Sequence, residues 1–147
     1  MIIKSNNGVV DMALIEWSAE LSVGIDSIDQ QHKELMNIIN RLDEAMNNGD
    51  SIEVLRKTFT DLTHYTQKHF AYEEKLFNLH DYEGGTEHKR QHDELIVQLI
   101  ELKEKFDHYQ KEKLTEQVMA FLKNWLTYHI LETDKAYSEH LQAQGVN

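Results

Sequence analysis

Seven side chains in this sequence are of kinds that hold metal ions, and most of them stand where a helix would otherwise place an apolar residue. His69 and Glu73 are four apart, as are His88 and His92, so the members of each pair leave one helix face together and can share an ion. His32 stands alone on its segment. His129 and Asp134 are five apart. That is about 140° around an ideal helix, so both turn inward only with reach or a local distortion. Spacing alone leaves Asp134 as a surface acid beside Lys135. Imidazoles with carboxylates suit iron, zinc, manganese or copper. Seven ligands are too many for one ion, whereas two ions sharing the carboxylates use them economically.

The elements that must position these residues follow from the hydrophobic periodicity. The chain has no proline, and short polar breaks separate four helical segments. The first spans about Asp26–Met46, with Ile25, Ile28, His32, Leu35, Ile39, Leu42 and Met46 in steps of three and four. Asn47–Ser51 breaks it, and Asp50 or Ser51 is placed to cap the second helix. That helix spans about Ile52–Leu79, and its stripe runs Leu55, Phe59, Leu62, Thr66, His69, Glu73, Leu76. After Asp81–Gly85, Thr86 is placed to cap the third, which carries His88, His92, Leu95, Leu99, Leu102, Phe106 and Tyr109. The fourth begins near Lys113 and shows Leu114, Val118, Leu122, Trp125, His129, Tyr137 and Leu141. Long helices with short connections predict an all-α, up-down-up-down antiparallel four-helix bundle with an N-terminal arm. The expected division is an extension and arm over 1–20 and the bundle over 21–145.

Six of the seven candidate ligands occupy core positions. Burying a carboxylate or several imidazoles without partners costs several kcal/mol each, which a domain of ordinary stability does not absorb repeatedly. Depth along the bundle provides an independent test. Measured from Gly49 or Lys111, one at each of the two turns at the same end, all seven lie 17 to 24 residues away. At about 1.5 Å per residue this is one slab roughly 26–36 Å from those turns. Shared depth also recruits Asp134, which spacing does not.

Composition excludes other classes. The formal charge is −11, from 26 acidic and 15 basic residues, so no basic footprint for nucleic acid is visible. No apolar run approaches the length of a membrane span, and no secretory signal opens the chain. There is no cysteine, which removes disulfides, thiolate metal sites and cysteine nucleophiles. The expected compartment is the cytoplasm.

Ligands in the body of a closed bundle, beside large apolar side chains, favour a small, nearly non-polar ligand such as dioxygen over a polar substrate. Ferritin-like di-iron enzymes use Glu-x-x-His motifs and more carboxylates. No such motif occurs at this site. Neutral imidazoles support high-valent iron less well than anionic oxygen ligands, so five histidines and two carboxylates favour binding that reverses.

The ordered set of motifs resembles the haemerythrin family, and its bacterial members closely. The matching text is Val23-Gly24-Ile25-Asp26-Ser27-Ile28-Asp29-Gln30-Gln31-His32, then His69-Phe70-Ala71-Tyr72-Glu73-Glu74, then His88-Lys89-Arg90-Gln91-His92, and Trp125 through Lys135. It covers about Trp17 to Leu141. The resemblance implies an oxygen-binding protein rather than an enzyme, carrying two iron ions with an oxo or hydroxo bridge and dioxygen as ligand. It implies that His88, His92 and His129 hold one iron. His32 and His69 would hold the other, which keeps the open position, and Glu73 and Asp134 would bridge the pair. Leu126 matches a position lining the oxygen pocket, with ordinary core packing as its other reading, and Trp125 is core with some pocket contact. Family members often have a proline after the tyrosine between the second and third helices, where Tyr82 is followed here by Glu83. His64, His80, His108 and His140 match no ligand position; His64 and His108 are expected at the surface, and His80 packs at the end of its helix.

An oxygen carrier or store is the first reading. The alternatives are an oxygen or redox sensor and a di-iron oxidase or nitric-oxide-handling enzyme. The protein that would receive the oxygen is not legible. Met12, opening the stretch Met12–Trp17, is expected to be the natural start, with Met1–Asp11 an upstream extension. N-terminal sequencing of the native protein checks this, and recovery of Met1–Asp11 would overturn it.

Overall fold

The computed structural model describes residues 13–108 and 115–147; the expected start at Met12 and the turn at Tyr109–Lys113, with Leu114, lie outside the described residues. Among the described residues the chain is all helix and turn. Helix α1 covers Asp26–Asn47, α2 Ile52–Leu79, and α3 Gly85–His108. The fourth bundle helix is composite: α4 covers Thr115–Tyr128, a π-helical turn covers His129–Asp134, and α5 covers Lys135–Ala143. Connections are short, α1 packs against α2 and α4, α2 packs against α3, and His88 and His92 of α3 meet His129 of the fourth helix, giving the antiparallel four-helix bundle.

The caps explain where the helices start. Ser51 Oγ accepts the Val54 N–H at 3.4 Å, fixing the start of α2 where a serine cap was expected. Thr86 does not cap α3. The Gly84 carbonyl already accepts the His88 N–H at 3.0 Å, so the helix begins at Gly85 and Thr86 lies within its exposed first turn. Asp29 reaches back from α1, its Oδ1 accepting from Val23 N at 2.9 Å and its Oδ2 from Ser22 Oγ at 2.6 Å, which sets the chain's entry into the bundle. Gly24 adopts φ +74, where a Cβ would meet Gln142 Nε2 at 1.9 Å. The close approach lets Gln142 Nε2 donate to the Gly24 carbonyl at 2.8 Å, tying the arm to α5. Farther back, Asn40 clasps the arm by bonding both the N–H and the carbonyl of Ile15 at 2.9 Å.

The stripes read from the sequence are largely buried, though Leu95 and Leu102 of α3 are only half-buried, with two further refinements. Leu76 is only half-buried, and Phe77 beside it is enclosed instead. Phe70, also off the stripe, is buried. The core divides into two apolar clusters. The larger runs toward the α1–α2 turn and includes Leu35, Phe59, Leu62, Phe106, Leu122 and Ile130. The smaller, at the other end, joins Val23, Ile25, Ile28, Phe77, Tyr137 and Leu141. Along α1 the change from one to the other falls at His32, along α2 at Glu73, and along the fourth helix at Asp134. A polar layer therefore cuts the hydrophobic core, and each cluster closes one side of it.

Phe59 and Phe106 stack at 6.1 Å between ring centroids in the larger cluster, and both are enclosed. Phe59→Ala should lower stability by about 3–5 kcal/mol, the range for deleting a buried aromatic ring. Urea denaturation checks it, and a loss under about 1 kcal/mol would show that this end of the bundle collapses onto the cavity.

Candidate metal centre

All seven candidate ligands meet in the polar layer, and all are buried. α1 brings His32; α2 brings His69 and Glu73 from one face; α3 brings His88 and His92 from one face; and the fourth helix brings His129 and Asp134. The last pair depends on the π turn. A π-helix bonds residue i to i+5, so residues five apart return to the same face, which an α-helix would deny them. The turn spans His129 to Asp134 and no more.

The ligand atoms fall into two groups, each with all its atoms within 4.8 Å of one another. One contains His88, His92, His129, Glu73 and Asp134, and the other His32, His69, Glu73 and Asp134. The carboxylates belong to both because each turns one oxygen to each group. Asp134 Oδ1 lies 2.9 Å from His88 Nε2 and 2.8 Å from His129 Nε2, while Oδ2 lies 2.9 Å from His32 Nε2. Glu73 Oε1 lies 3.0 Å from His92 Nε2, while Oε2 lies 3.4 Å from His69 Nε2 and 3.7 Å from His32 Nε2.

These approaches lack hydrogen-bond alignment. The Nε2 atoms of all five histidines, Glu73 Oε1 and both oxygens of Asp134 are buried without a hydrogen-bond partner. So many orphaned lone pairs aimed at two common points fit a pair of bound cations, and fit poorly with a purely structural polar layer. Electrostatics agree. Burial opposes ionisation of Glu73, but the surrounding histidines, His69 foremost, hold its carboxyl well below the usual range. Asp134 is likewise held down, against burial and the Glu73 charge, by His129 and His32. His32, despite burial, is raised to about 9 by Asp134 and Glu73, whereas burial pushes His69 down. Both carboxylates are therefore ionised, set among imidazoles inside apolar walls.

The residues behind the ligands were not legible as site residues in the sequence. His69 Nδ1 lies 2.6 Å from Gln31 Oε1, and His92 Nδ1 lies 2.8 Å from Glu74 Oε2. Both partners accept, so each ring carries its hydrogen on Nδ1 and leaves Nε2 free to ligate. Gln31 and Glu74 each adjoin a ligand in the chain, a place where helix geometry predicts no role. Tyr137, read only as core, donates its hydroxyl to Glu73 Oε2. Burial and the two carboxylates keep that phenol protonated, its pKa pushed well up. Phe70 stacks on His92 at 3.7 Å, nearly parallel, and lies 5.9 Å from His69 and 5.5 Å from His129. Leu126 is buried in the larger core cluster with Phe70, Trp125 and Ile130. His64 and His108 are exposed and His80 half-buried, and His140 Nε2 bonds the His80 carbonyl at 2.6 Å, apart from the ligand set.

A helical bundle holding a shared histidine–carboxylate layer defines a class of cation-binding domains. The family model described as "Hemerythrin HHE cation binding domain" matches residues 23–141, and the chain belongs to the haemerythrin family. It is 33% identical over 132 residues to a bacteriohemerythrin of Stenotrophomonas maltophilia, covering 90% of this chain and 84% of that one. It is 31% identical over 133 residues to a bacteriohemerythrin of Methylococcus capsulatus, covering 90% of this chain and all of that one. A crystal structure of wild-type hemerythrin superposes with a TM-score of 0.77 at 28% identity, covering 88% of this chain and 98% of that one.

Removing a carboxylate that orients a ligand histidine typically costs 10–100-fold in metal affinity. Glu74→Ala should therefore weaken metal binding by about 10–100-fold while leaving the helical circular dichroism intact. Competition against a chromophoric chelator measures it; unchanged affinity would mean that Glu74 does not fix His92.

Proposed function

We propose that the chain binds dioxygen reversibly at a non-haem di-iron centre held by His32, His69, Glu73, His88, His92, His129 and Asp134, and serves as an oxygen carrier or store. The observation that carries this reading is the division of each carboxylate between two histidine groups, three imidazoles on one side and two on the other. The iron pair, when bound, supplies the electrons that hold dioxygen and takes them back on release.

What the chain does follows from its own groups. Glu73 and Asp134 would hold the two cations together, because each carboxylate turns one oxygen to each histidine group. The group with only two histidines has fewer protein ligands, which leaves room there for an exogenous one. Gln31 and Glu74 hold the His69 and His92 rings in the ligating tautomer. Tyr137 holds Glu73 by a hydrogen bond, so this carboxylate does not swing away when an ion's charge changes. Phe70, Trp125, Leu126 and Ile130 are buried in the larger cluster and exclude water and polar substrates from that side. Leu126 is the residue we assign to the oxygen pocket. Reversible binding of a molecule as small as dioxygen suits this enclosure, which favours small ligands over bulky substrates. No helix of the described residues is long and apolar enough to cross a membrane, and on composition we place the protein in the cytoplasm.

Anaerobically reduced, iron-loaded protein should be nearly colourless, gain visible charge-transfer bands with oxygen, and lose them under vacuum. His69→Ala should abolish stable oxygen binding by removing one of the two histidines of the smaller group. Irreversible conversion to the ferric form within one cycle, or normal reversible binding by His69→Ala, would overturn the reading.

A further inference from the structure

Tyr137 joins the metal layer to an aromatic cluster that runs out to the end of the bundle. Its hydroxyl donates to Glu73 Oε2, and its ring is enclosed. The Tyr82 ring lies 6.4 Å away at 85°, edge to face. Phe77 packs against both, 5.3 Å from Tyr137 and 5.2 Å from Tyr82. Tyr82 sits in the α2–α3 turn, half-buried, with the His140 ring 5.4 Å away. A Cβ at Gly84 would come within 2.8 Å of the Tyr82 hydroxyl, so glycine is what lets the phenol lie over the turn.

Tyrosine and tryptophan lose one electron more readily than other side chains, provided the ring's O–H or N–H proton has an acceptor. Tyr137 has Glu73, and half-exposed Tyr82 has water. The neighbouring aromatics lack that combination. Trp125 is near the ligands but its indole Nε1 is buried without a partner, so an oxidised ring there could not shed its proton. Tyr72 donates to Ser27 Oγ at 2.9 Å, a hydroxyl rather than a base.

We propose that Tyr137 and Tyr82 form a one-electron relay that carries oxidising equivalents, delivered to the buried layer by hydrogen peroxide, out to the surface at Tyr82. It rests on the reading of that layer as an iron centre for its source of oxidation. Peroxide becomes two water molecules by taking up two electrons and two protons. Tyr137 gives the first electron and passes its proton to Glu73. Tyr82 refills Tyr137 by one electron, Glu73 returns the proton, and Tyr82 releases its own proton to water. Tyr137 then gives the second electron and proton. The sum is one hydrogen peroxide and two phenols yielding two waters and two phenoxyl radicals, one of them at the surface. Surface radicals from two molecules couple through ring carbons ortho to oxygen, each displaced ring hydrogen returning to its oxygen as dityrosine forms. The relay moves one of the two oxidising equivalents away from the ligand histidines.

The test has an iron-loaded and a metal-free arm. Iron-loaded protein, its iron content measured independently, is rapidly frozen after addition of hydrogen peroxide for electron paramagnetic resonance, and thawed for dityrosine fluorescence. Wild type should give a tyrosyl signal and a covalent dimer. Tyr82→Phe should lose the dimer yet keep a tyrosyl signal, Tyr137→Phe should lose both, and exposed Tyr128 replaced by Phe should change neither. A dimer undiminished in Tyr82→Phe overturns the relay. In the second arm, metal-free protein is oxidised from solution by photogenerated tris(bipyridyl)ruthenium(III), which takes one electron from Tyr82 as that phenol's proton leaves. A long-lived buried radical should follow in wild type and be absent from Tyr82→Phe and Tyr137→Phe. Its formation at an unchanged rate without Tyr82 overturns the relay, whatever the iron content. Failure to bind iron would overturn the functional reading and with it peroxide as the source of oxidation, while the metal-free arm still decides electron transfer between Tyr82 and Tyr137.

Discussion

Two carboxylates buried among imidazoles in the middle of a helical bundle impose the constraint from which the remaining arrangement follows. Removing a charge from water costs several kcal/mol unless partners of opposite charge and good geometry replace the lost solvation. The protein offers Glu73 and Asp134 imidazoles, and one hydroxyl from Tyr137, but leaves the ligand-facing atoms without hydrogen-bond partners. Apolar clusters close both sides of the layer, so the solvation cannot come from water. The layer is therefore one that bound cations would complete, and it divides the bundle's core in two.

That division decides the local structure of the fourth helix. A continuous α-helix would bury His129 and turn Asp134 aside, which would remove the carboxylate that spans both histidine groups. One π turn corrects the phase by a single residue and then ends, so α5 continues with Tyr137 and Leu141 inward. The distortion also brings the Tyr137 hydroxyl to Glu73. The helix defect, the shared carboxylate and the tyrosine contact are thus one solution to one geometric problem.

The surroundings of the two histidine groups are unequal. His92, in the larger group, is backed by the carboxylate of Glu74, whereas His69, in the smaller, is backed by the neutral amide of Gln31. An anionic acceptor makes its imidazole a stronger donor than a neutral one does. The stronger support thus goes to the side that is already richer in ligands. The Glu74 carboxylate also lines an open groove of about 390 Å³ between α2 and α3.

The sequence by itself determined the bundle, because its periodicity of three and four is a direct imprint of helix geometry, and no competing pattern interrupts it. It also singled out His32, His69, Glu73, His88, His92 and His129, since a polar residue on an apolar stripe is conspicuous, and shared depth added Asp134. Tertiary structure alone decided how Asp134 turns inward, because the π turn is a response to packing that an ideal helical wheel cannot express. It alone decided that α3 starts at Gly85 rather than from a Thr86 cap, since the Gly84 carbonyl accepts the His88 N–H. Gln31, Glu74, Phe70 and Tyr137 acquire their roles the same way. Gln31, Glu74 and Tyr137 fit their helix's polarity pattern and Phe70 lies off its stripe, but each matters only because a neighbouring helix brings a candidate ligand within reach.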